Sequence, residues 1–259
     1  MRVLILLPPS EGKFAPRRGR HLDLTALSSP GLTGPRTTAL EALLAVSGSA
    51  QALDVLGLTA GQQPEVTRNL RLLTGATARA DQIYTGVLYD ALGFATLTTA
   101  AKRRATTRVM ITSSVFGVLR PGDRIAPYRL SGDVNLPGLG PVAGLWRDHL
   151  GPAVEEALGD GLLVDVRSGM YAAFWRPPPS LAHRVATVRV LHEADGQRKV
   201  VSHFNKATKG RIVRALLEDG ANPRTPRAFA EVLRRLGWHV ETGPVTAKGT
   251  QLDVVVSAV

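Results

Sequence analysis

Three short, largely apolar runs along the chain predict buried strands. They occupy residues 2–7, 108–112 and 162–166. Runs of this length without strict alternation are typical of strands that are covered on both faces. Polar side chains follow each run, beginning at Ser10, Ser113 and Arg167. We therefore predict that the carboxyl ends of several buried strands present polar groups.

Apolar residues at helical spacing occupy much of the remaining chain. The spacing predicts helices over 35–47, 64–74, 143–158, 206–219 and 227–236, and a short helix after Thr85-Gly86. Gly220 is expected to close the fourth of these helices in a left-handed conformation. Thr225-Pro226 is expected to begin the fifth, with a capping hydroxyl followed by a proline in the first turn.

The carboxyl-terminal third also contains strand patterns. Residues 185–193 and 199–204 flank Asp195-Gly196, which indicates a β-hairpin, and edge strands are expected over 238–242 and 252–257. The order of elements is neither a regular βαβ alternation nor a run of strands. We predict one mixed α/β domain over residues 1–259 with a mixed sheet.

Composition excludes several classes of protein. The chain has 259 residues, 44% of them hydrophobic, and no cysteine. This length permits a large core, and the absence of cysteine excludes disulfide frameworks, thiolate metal sites and cysteine nucleophiles. The first apolar run is too short for a signal peptide or a membrane span, so we expect a cytoplasmic protein without a membrane partner. The six histidines lie far apart, and we expect no metal and no cofactor.

Positive charge is concentrated in two segments. The formal net charge is +11, of which residues 101–130 carry +6 and residues 198–239 carry +7, so the rest of the chain sums to −2. Such segregation favours a site for phosphate or a polyanion. The alternative is a pair of solvated basic faces.

The loop after the first strand combines a hydroxyl, a carboxylate and an ammonium group in Ser10, Glu11 and Lys13. Strand ends commonly hold binding groups. Glu11 is a candidate general acid or base, and Lys13 is a candidate to neutralise a phosphate. The glycine spacing before Gly12 excludes a P-loop, and a solvated surface loop is the alternative interpretation.

The segment 201–210 joins a predicted strand to a predicted helix. Helix starts offer free N–H groups and a positive dipole end, and Lys206 and Lys209 add two ammonium groups, so the junction suits an anion. His203 is a second candidate for proton transfer. Tyr128 is the third catalytic candidate. Tyr128 or Phe204 is expected to stack on a base.

Several motifs together resemble the YaaA peroxide-stress-resistance family. They are the opening strand with Ser10…Lys13, Tyr84-Thr85-Gly86, Ser113…Phe116 to Pro121, Pro127-Tyr128-Arg129-Leu130, Arg167-Ser168…Tyr171, and Lys206…Lys209-Gly210. The resemblance implies an α/β domain with a basic cleft and a helix-hairpin-helix-like element. It also implies DNA binding and protection from hydrogen peroxide by limiting free iron. The chain differs from the better-known branch of the family at 9–13, where Ser-Pro-Ala-Lys is usual, and at Lys209, where arginine is usual.

Two functions follow as hypotheses. In the first, residues 206–219 and 227–236 form a helix-hairpin-helix-like pair that contacts DNA phosphates through Arg211, Arg214, Arg224 and Arg227. In the second, the protein is an enzyme that cleaves the N-glycosidic bond of a nucleotide or nucleoside, or modifies its base. The sequence does not decide between them, and it does not define an oligomeric state.

The groups at the strand ends are expected to line one cleft, formed by Lys13, Ser113, Arg120, Tyr128, Arg129, Arg167, His203, Lys206 and Lys209. The candidate ligand-binding residues are Ser10, Lys13, Tyr84, Thr85, Ser113, Arg120, Arg129, Arg167, Ser168, Tyr171, Phe204, Asn205, Lys206 and Lys209. The catalytic candidates are Glu11, Tyr128 and His203.

Overall fold

The computed structural model describes residues 3–194 and 197–257, except for the side chains of Ala194, Ser202, His203 and Ser257. The strands are β1 (Leu4–Leu7), β2 (Ala78–Arg79), β3 (Val109–Ser113), β4 (Gly117–Leu119), β5 (Arg124–Ile125), β6 (Asn135–Leu136), β7 (Gly140–Pro141), β8 (Leu163–Asp165), β9 (Val185–Ala194), β10 (Gln197–Lys199), β11 (His239–Thr246) and β12 (Gly249–Ser257).

Helices separate these strands. They are α1 (Thr33–Ser47), α2 (Ala52–Val55), α3 (Gln63–Asn69), α4 (Ala80–Ile83), α5 (Val87–Leu92), α6 (Thr99–Arg108), α7 (Val142–Leu158), α8 (Gly169–Ala172), α9 (Ser202–Asp219) and α10 (Pro226–Arg235). Short 3-10 helices occur at Leu24–Ala26, Pro30–Leu32, Ala60–Gln62, Phe94–Thr96 and Pro179–Arg184. Among the described residues, no helix has both the length and the apolarity needed to cross a bilayer.

An eight-stranded mixed sheet forms the centre of the molecule. Its order is β11-β12-β9-β8-β1-β3-β4, and β10 pairs with β9. The inner strands β12, β9, β8, β1 and β3 are parallel, whereas β11 and β4 add antiparallel edges. The predicted mixed α/β domain is therefore confirmed. The placement of residues 252–257 at an edge is wrong, because β12 lies between β11 and β9.

The apolar runs form the middle of this sheet because neither face is exposed. Ile5, Leu6 and Leu7 of β1 and Ile111 of β3 are fully buried. Such strands gain about 1.5–3 kcal/mol per buried aliphatic side chain, and they need no alternating pattern. The two edges are named here by strand direction: the carboxyl edge, where the parallel strands end, and the amino edge, where they begin.

Helix boundaries agree with the local signals in most places. Gly220 closes α9 with a φ of +82°, and the Thr225 side chain accepts a hydrogen bond from the N–H of Ala228 at the start of α10. Two boundaries were wrong. The helix predicted over 64–74 ends at Asn69, and residues 202–204, predicted as strand, already belong to α9. The proposed turn at Asp195-Gly196 lies outside the described residues.

The order of the strands creates a crevice beside β1. From β1 the chain proceeds to β3 on one side, then returns to β8 on the other side of β1. The direction in which strands are added therefore reverses between β1 and β8. In parallel sheets, such a reversal separates the connecting segments and leaves room for a ligand outside the carboxyl ends of the strands.

Most cations of the segment 101–130 contact the backbone of their own chain. Arg104 Nη1 donates to Leu217 O at 2.8 Å, and Arg108 Nη1 donates to Ala221 O at 2.8 Å. These cations complement the negative end of the α9 dipole at the amino edge. Carbonyl oxygens also accept hydrogen bonds from Lys102, Arg120 and Arg124. The charge of this segment therefore stabilises helix ends and turns.

Candidate functional site

A pocket of about 550 Å³ lies at the carboxyl edge, beside the reversal between β1 and β8. Its walls are residues 8–12 after β1, residues 85–89 around the start of α5, four residues of 166–171 after β8, and three residues of 205–209 in α9. Depressions of similar size occur elsewhere, such as one of about 650 Å³ beside Arg120. Its position at the ends of the parallel strands therefore distinguishes this carboxyl-edge pocket, whereas its volume does not.

The loop after β1 is held against the residues that precede α5. Ser10 Oγ accepts a hydrogen bond from Thr85 N at 3.1 Å and donates to Gly12 O at 2.7 Å. Gly86 has a φ of +92°, a conformation that glycine adopts without strain. The Tyr89 hydroxyl donates to Pro8 O at 2.7 Å. These bonds give the polar loop a defined shape on one side of the pocket.

Lys13 lies beside a buried cluster of hydroxyl groups. Its Nζ is 4.2 Å from the ring centroid of Tyr128, and it donates to Ser10 O at 2.6 Å. The Tyr128 hydroxyl is hydrogen-bonded to Tyr84 at 3.0 Å and to Ser113 at 2.8 Å. Removal of the ammonium from water, followed by repulsion from Arg129, lowers the pKa of Lys13 to about 7.

A buried ion pair shapes the exit from β8. Arg167 donates to both carboxylate oxygens of Asp165, at 2.9 Å from Nε and 2.7 Å from Nη2. Burial disfavours the charged carboxylate, but the charge and hydrogen bonds of Arg167 outweigh burial and lower the pKa of Asp165. Arg167 also donates to Trp175 O at 3.0 Å. The guanidinium is therefore engaged in shaping the loop.

The first turns of α9 form the opposite wall of the pocket. Lys209 Nζ donates to Val166 O at 3.1 Å, which ties α9 to the loop after β8. Burial lowers the pKa of Lys209, while the nearby charge of Asp165 opposes this shift. Lys206 is exposed and lines the pocket. The Oδ1 atom of Asn205 is buried and has no hydrogen-bond partner among the described residues.

Glu11 lies in the pocket wall, and its carboxylate is paired with the guanidinium of Arg129. Arg129 Nη1 contacts Glu11 Oε2 at 2.9 Å, and the Glu11 side chain is 70% exposed. Asn69, the last residue of α3, binds both the N–H and the carbonyl oxygen of Arg129. The position of this carboxylate therefore depends on a helix that is distant in sequence.

The structure brings together about half of the predicted site residues. Those that line the carboxyl-edge pocket are Ser10, Glu11, Thr85, Ser168, Tyr171, Asn205, Lys206 and Lys209. Lys13 and Arg129 lie behind this wall, in contact with Ser10 and Glu11. The side chain of His203 lies outside the described residues.

Other predicted site residues are placed differently. Tyr84, Ser113 and Tyr128 are buried and do not line the pocket, so Tyr128 does not offer a stacking face there. The ring of Phe204 stacks on His192 at 5.0 Å, outside the pocket wall. The expectation of one shared cleft is therefore wrong for Ser113 and Tyr128, because the chain after a strand can turn either toward solvent or into the core.

Arg120 lies at the amino edge, far from its expected partners. It follows β4, which is antiparallel to β3, and its Nη1 donates to Thr107 O at 3.0 Å and Val109 O at 3.2 Å. Its inclusion in the cleft was wrong, because the direction of β4 carries the chain back to the beginning of β3.

Of the four arginines assigned to DNA, three are exposed and one, Arg214, is engaged by the fold. Arg214 Nη1 donates to Leu92 O at 3.0 Å and to Gly93 O at 3.1 Å, at the end of α5. Arg227 pairs with Glu231. Arg211 and Arg224 are exposed. The turn between α9 and α10 lies at the amino edge, since the side chain of Asn222 accepts a hydrogen bond from Val3 N at 2.9 Å.

Sequence reasoning missed several residues that build the site. Tyr89 and Met170 line the pocket, Asp165 neutralises Arg167, and Asn69 positions Arg129. Asp165 could have been noticed as a carboxylate within an otherwise apolar strand. No local pattern marks Asn69, because its partner is 60 residues away. No group of three or more potential metal-ligating His, Asp or Glu side chains occurs in the part of the chain that the structure describes.

The fold and the pocket define an α/β protein with a polar site at the switch point of its parallel strands. The sequence matches the family model described as peroxide stress protein YaaA over residues 3–242, so the chain belongs to the YaaA peroxide stress protein family. The resemblance noted from the motifs is thereby confirmed.

Related proteins support this assignment over nearly the whole chain. A UPF0246 protein of Streptomyces coelicolor is 50% identical over 262 residues, covering 99% of this chain and all of the relative. A UPF0246 protein of Corynebacterium efficiens is 41% identical over 241 residues, covering 92% of this chain and 95% of the relative. A further UPF0246 protein, from Corynebacterium glutamicum, is 39% identical, with 93% and 96% coverage.

Proposed function

We propose that this protein binds a small phosphate-bearing ligand of nucleotide size in the carboxyl-edge pocket, as its contribution to the peroxide stress response for which its family is named. The observation that carries the proposal is the position of the pocket at the switch point between β1 and β8. Ligands of α/β proteins commonly bind at such a crevice.

The composition of the pocket supports a ligand with a flat apolar part and an anionic part. Leu88, Tyr89, Met170 and Tyr171 supply apolar and aromatic wall surface. Lys206 supplies an exposed ammonium group. A volume of about 550 Å³ lies within the usual range for small-molecule sites. These features together suit a nucleotide better than an extended polyanion.

The same observations make duplex DNA the weaker candidate. Much of the positive charge in 101–130 is directed at carbonyl oxygens of the chain, and Arg214 is engaged with the end of α5. A DNA groove needs several cations free to neutralise phosphates along one face.

Calorimetric titration with the four common ribonucleoside 5′-monophosphates tests the proposal. At least one should bind, and Lys206→Ala should weaken its binding by about 1.5–3 kcal/mol if a charge-assisted hydrogen bond is lost. Lys248→Ala, which removes an exposed lysine between β11 and β12, is the matched control and should leave binding unchanged.

DNA binding is measured in parallel at several salt concentrations. Neutralisation of about six phosphates gives a log–log salt slope near −5. If no nucleotide binds while duplex DNA does so with this slope, the pocket proposal is wrong. In that case the combined alanine variant of Arg211, Arg214, Arg224 and Arg227 should abolish the salt-dependent binding.

Catalysis on the bound nucleotide is a second candidate, which the exposed carboxylate of Glu11 in the pocket wall favours. Glu11→Gln preserves shape but removes proton transfer, so turnover should fall by roughly 10²–10⁴-fold with little change in affinity. Chromatography of nucleotide mixtures would detect N-glycosidic cleavage or base modification. Unchanged turnover in Glu11→Gln would assign the proton transfer to another group.

A further inference from the structure

One buried polar atom of a residue in the wall of the carboxyl-edge pocket has no partner within the described part of the fold. Asn205 lies in the first turns of α9, where its backbone N–H donates to Val201 O at 2.8 Å. Its side chain lines the pocket, and its Oδ1 is buried without a hydrogen-bond partner among the described residues. A buried, unsatisfied carbonyl oxygen is unfavourable, and native proteins contain few of them.

The chemistry of this atom restricts what can satisfy it. An amide oxygen only accepts hydrogen bonds, so its partner must supply an N–H or O–H group. A phosphate group that is fully ionised supplies neither. Lys206, the neighbouring residue in the wall, suits the anionic part of a ligand. Asn205 therefore complements a different part of the same molecule, one that carries a hydrogen-bond donor.

The flat part of the proposed ligand is the natural source of that donor. Tyr89, Met170 and Tyr171 provide surface for a planar ring in the same pocket as Asn205. Among nucleobases, adenine, cytosine and guanine carry an exocyclic amino group, and asparagine is a common partner for such groups. An acceptor in the wall would discriminate strongly, because a ligand that lacks the donor leaves the oxygen unpaired.

We propose that Asn205 is a specificity-determining residue whose Oδ1 accepts a hydrogen bond from the exocyclic amino group of an amino-bearing nucleobase. This inference rests on the proposed function, since it specifies the base of the nucleotide in the carboxyl-edge pocket. It adds a substrate class: aminopurine or aminopyrimidine nucleotides are preferred over nucleotides whose bases lack an amino group.

The test compares matched pairs of ligands by calorimetry. One pair is adenosine 5′-monophosphate and purine ribonucleoside 5′-monophosphate, which differ only in the amino group, and the other is cytidine and uridine 5′-monophosphate. The amino-bearing member of at least one pair should bind the wild-type protein roughly tenfold to hundredfold more tightly. Asn205→Leu and Asn205→Ala should each reduce this preference to less than about threefold.

Two further measurements separate recognition from a structural role. Without ligand, the Tm of Asn205→Leu should be unchanged or higher, because the substitution removes an unpaired buried oxygen. Asn135→Leu, at an exposed asparagine of β6, is the control and should keep the wild-type preference.

The outcomes distinguish this inference from the proposed function. If nucleotides bind and Lys206→Ala weakens them, but both Asn205 variants keep the wild-type preference or no preference exists, the inference is overturned and the proposed function stands. If no nucleotide binds the wild-type protein, both are overturned. A lowered Tm in both variants, with preference retained, assigns Asn205 to the fold.

Discussion

The two edges of the parallel sheet use positive charge in different ways. At the amino edge, Arg104 and Arg108 donate hydrogen bonds to carbonyl oxygens at the end of α9. At the carboxyl edge, Lys206 is exposed in the pocket wall, while Lys209 joins α9 to the loop after β8. Arg104 and Arg108 therefore stabilise the fold, whereas Lys206 faces a space that can hold a ligand.

This difference shows why a cluster of cations in a sequence does not by itself locate a polyanion site. Helix carboxyl termini leave several carbonyl oxygens unsatisfied, and arginine side chains can reach them across a helix pair. Because α6 and α9 both end at the amino edge, the arginines of α6 meet the last carbonyl groups of α9. Net charge is informative only after such internal partners are known.

The largest expected effect is at the carboxyl edge. Asp165→Asn leaves the buried Arg167 without its counter-charge, so the free energy of unfolding should fall by about 3–5 kcal/mol. Glu231→Gln, which breaks the exposed Arg227–Glu231 pair, should cost less than about 1 kcal/mol. Urea unfolding at neutral pH measures both variants.

The dependence of this effect on pH has a defined sign. The folded pKa of Asp165 is lowered, so the pair contributes stability above the ordinary pKa of about 3.9 and loses it as the pH falls below that value. The difference between wild type and Asp165→Asn should therefore shrink in acid. A constant difference would contradict the charge pairing.

A smaller effect is expected where α9 crosses α5. A Cβ atom on Gly210 would overlap Leu88 O, so Gly210→Ala should destabilise the protein by about 1–3 kcal/mol and disturb the pocket wall. Gly144→Ala in α7 is the control. A Cβ atom on Gly144 would meet no other atom within 4 Å, and alanine favours helix by up to about 1 kcal/mol. Thermal unfolding and nucleotide affinity should be measured for both.

The comparison of the two edges is tested directly by one variant at each. Arg104→Ala should lower the free energy of unfolding by about 1.5 kcal/mol through the loss of hydrogen bonds to α9, and leave nucleotide affinity unchanged. Lys206→Ala should leave the free energy of unfolding unchanged and weaken nucleotide binding. The contrast between the edges would be lost if both variants changed stability and affinity alike.

The last prediction concerns the titration of Lys13. Lys13 has a pKa of about 7, so an NMR titration of the protein with ¹³C-labelled lysine should show one Cε resonance with a midpoint near neutrality, absent in Lys13→Met. Between about pH 7 and 10.5 the unfolded chain binds more protons than the folded one, and the stability of wild type relative to Lys13→Met should rise with pH. A midpoint near pH 10 would contradict burial of the ammonium group.

The sequence by itself located the central strands and most of the longer helices in order, although it did not indicate α6 or β4. Apolar runs located β1, β3 and β8, and the cap residues Gly220 and Thr225 located the end of α9 and the start of α10. These features depend on local sterics and on burial of neighbouring residues, which a single sequence contains. The family was also recognisable, because its motifs are short local patterns.

Only the tertiary structure decided which polar residues share a site. Strand order placed Ser10 and Ser168 in one pocket, and the antiparallel direction of β4 carried Arg120 to the opposite edge. Packing turned Tyr128 into the core, and it left the Oδ1 atom of Asn205, a residue of the pocket wall, buried without a partner among the described residues. Strand order and side-chain partners depend on contacts between residues that are distant in sequence, and neither periodicity nor local charge encodes those contacts.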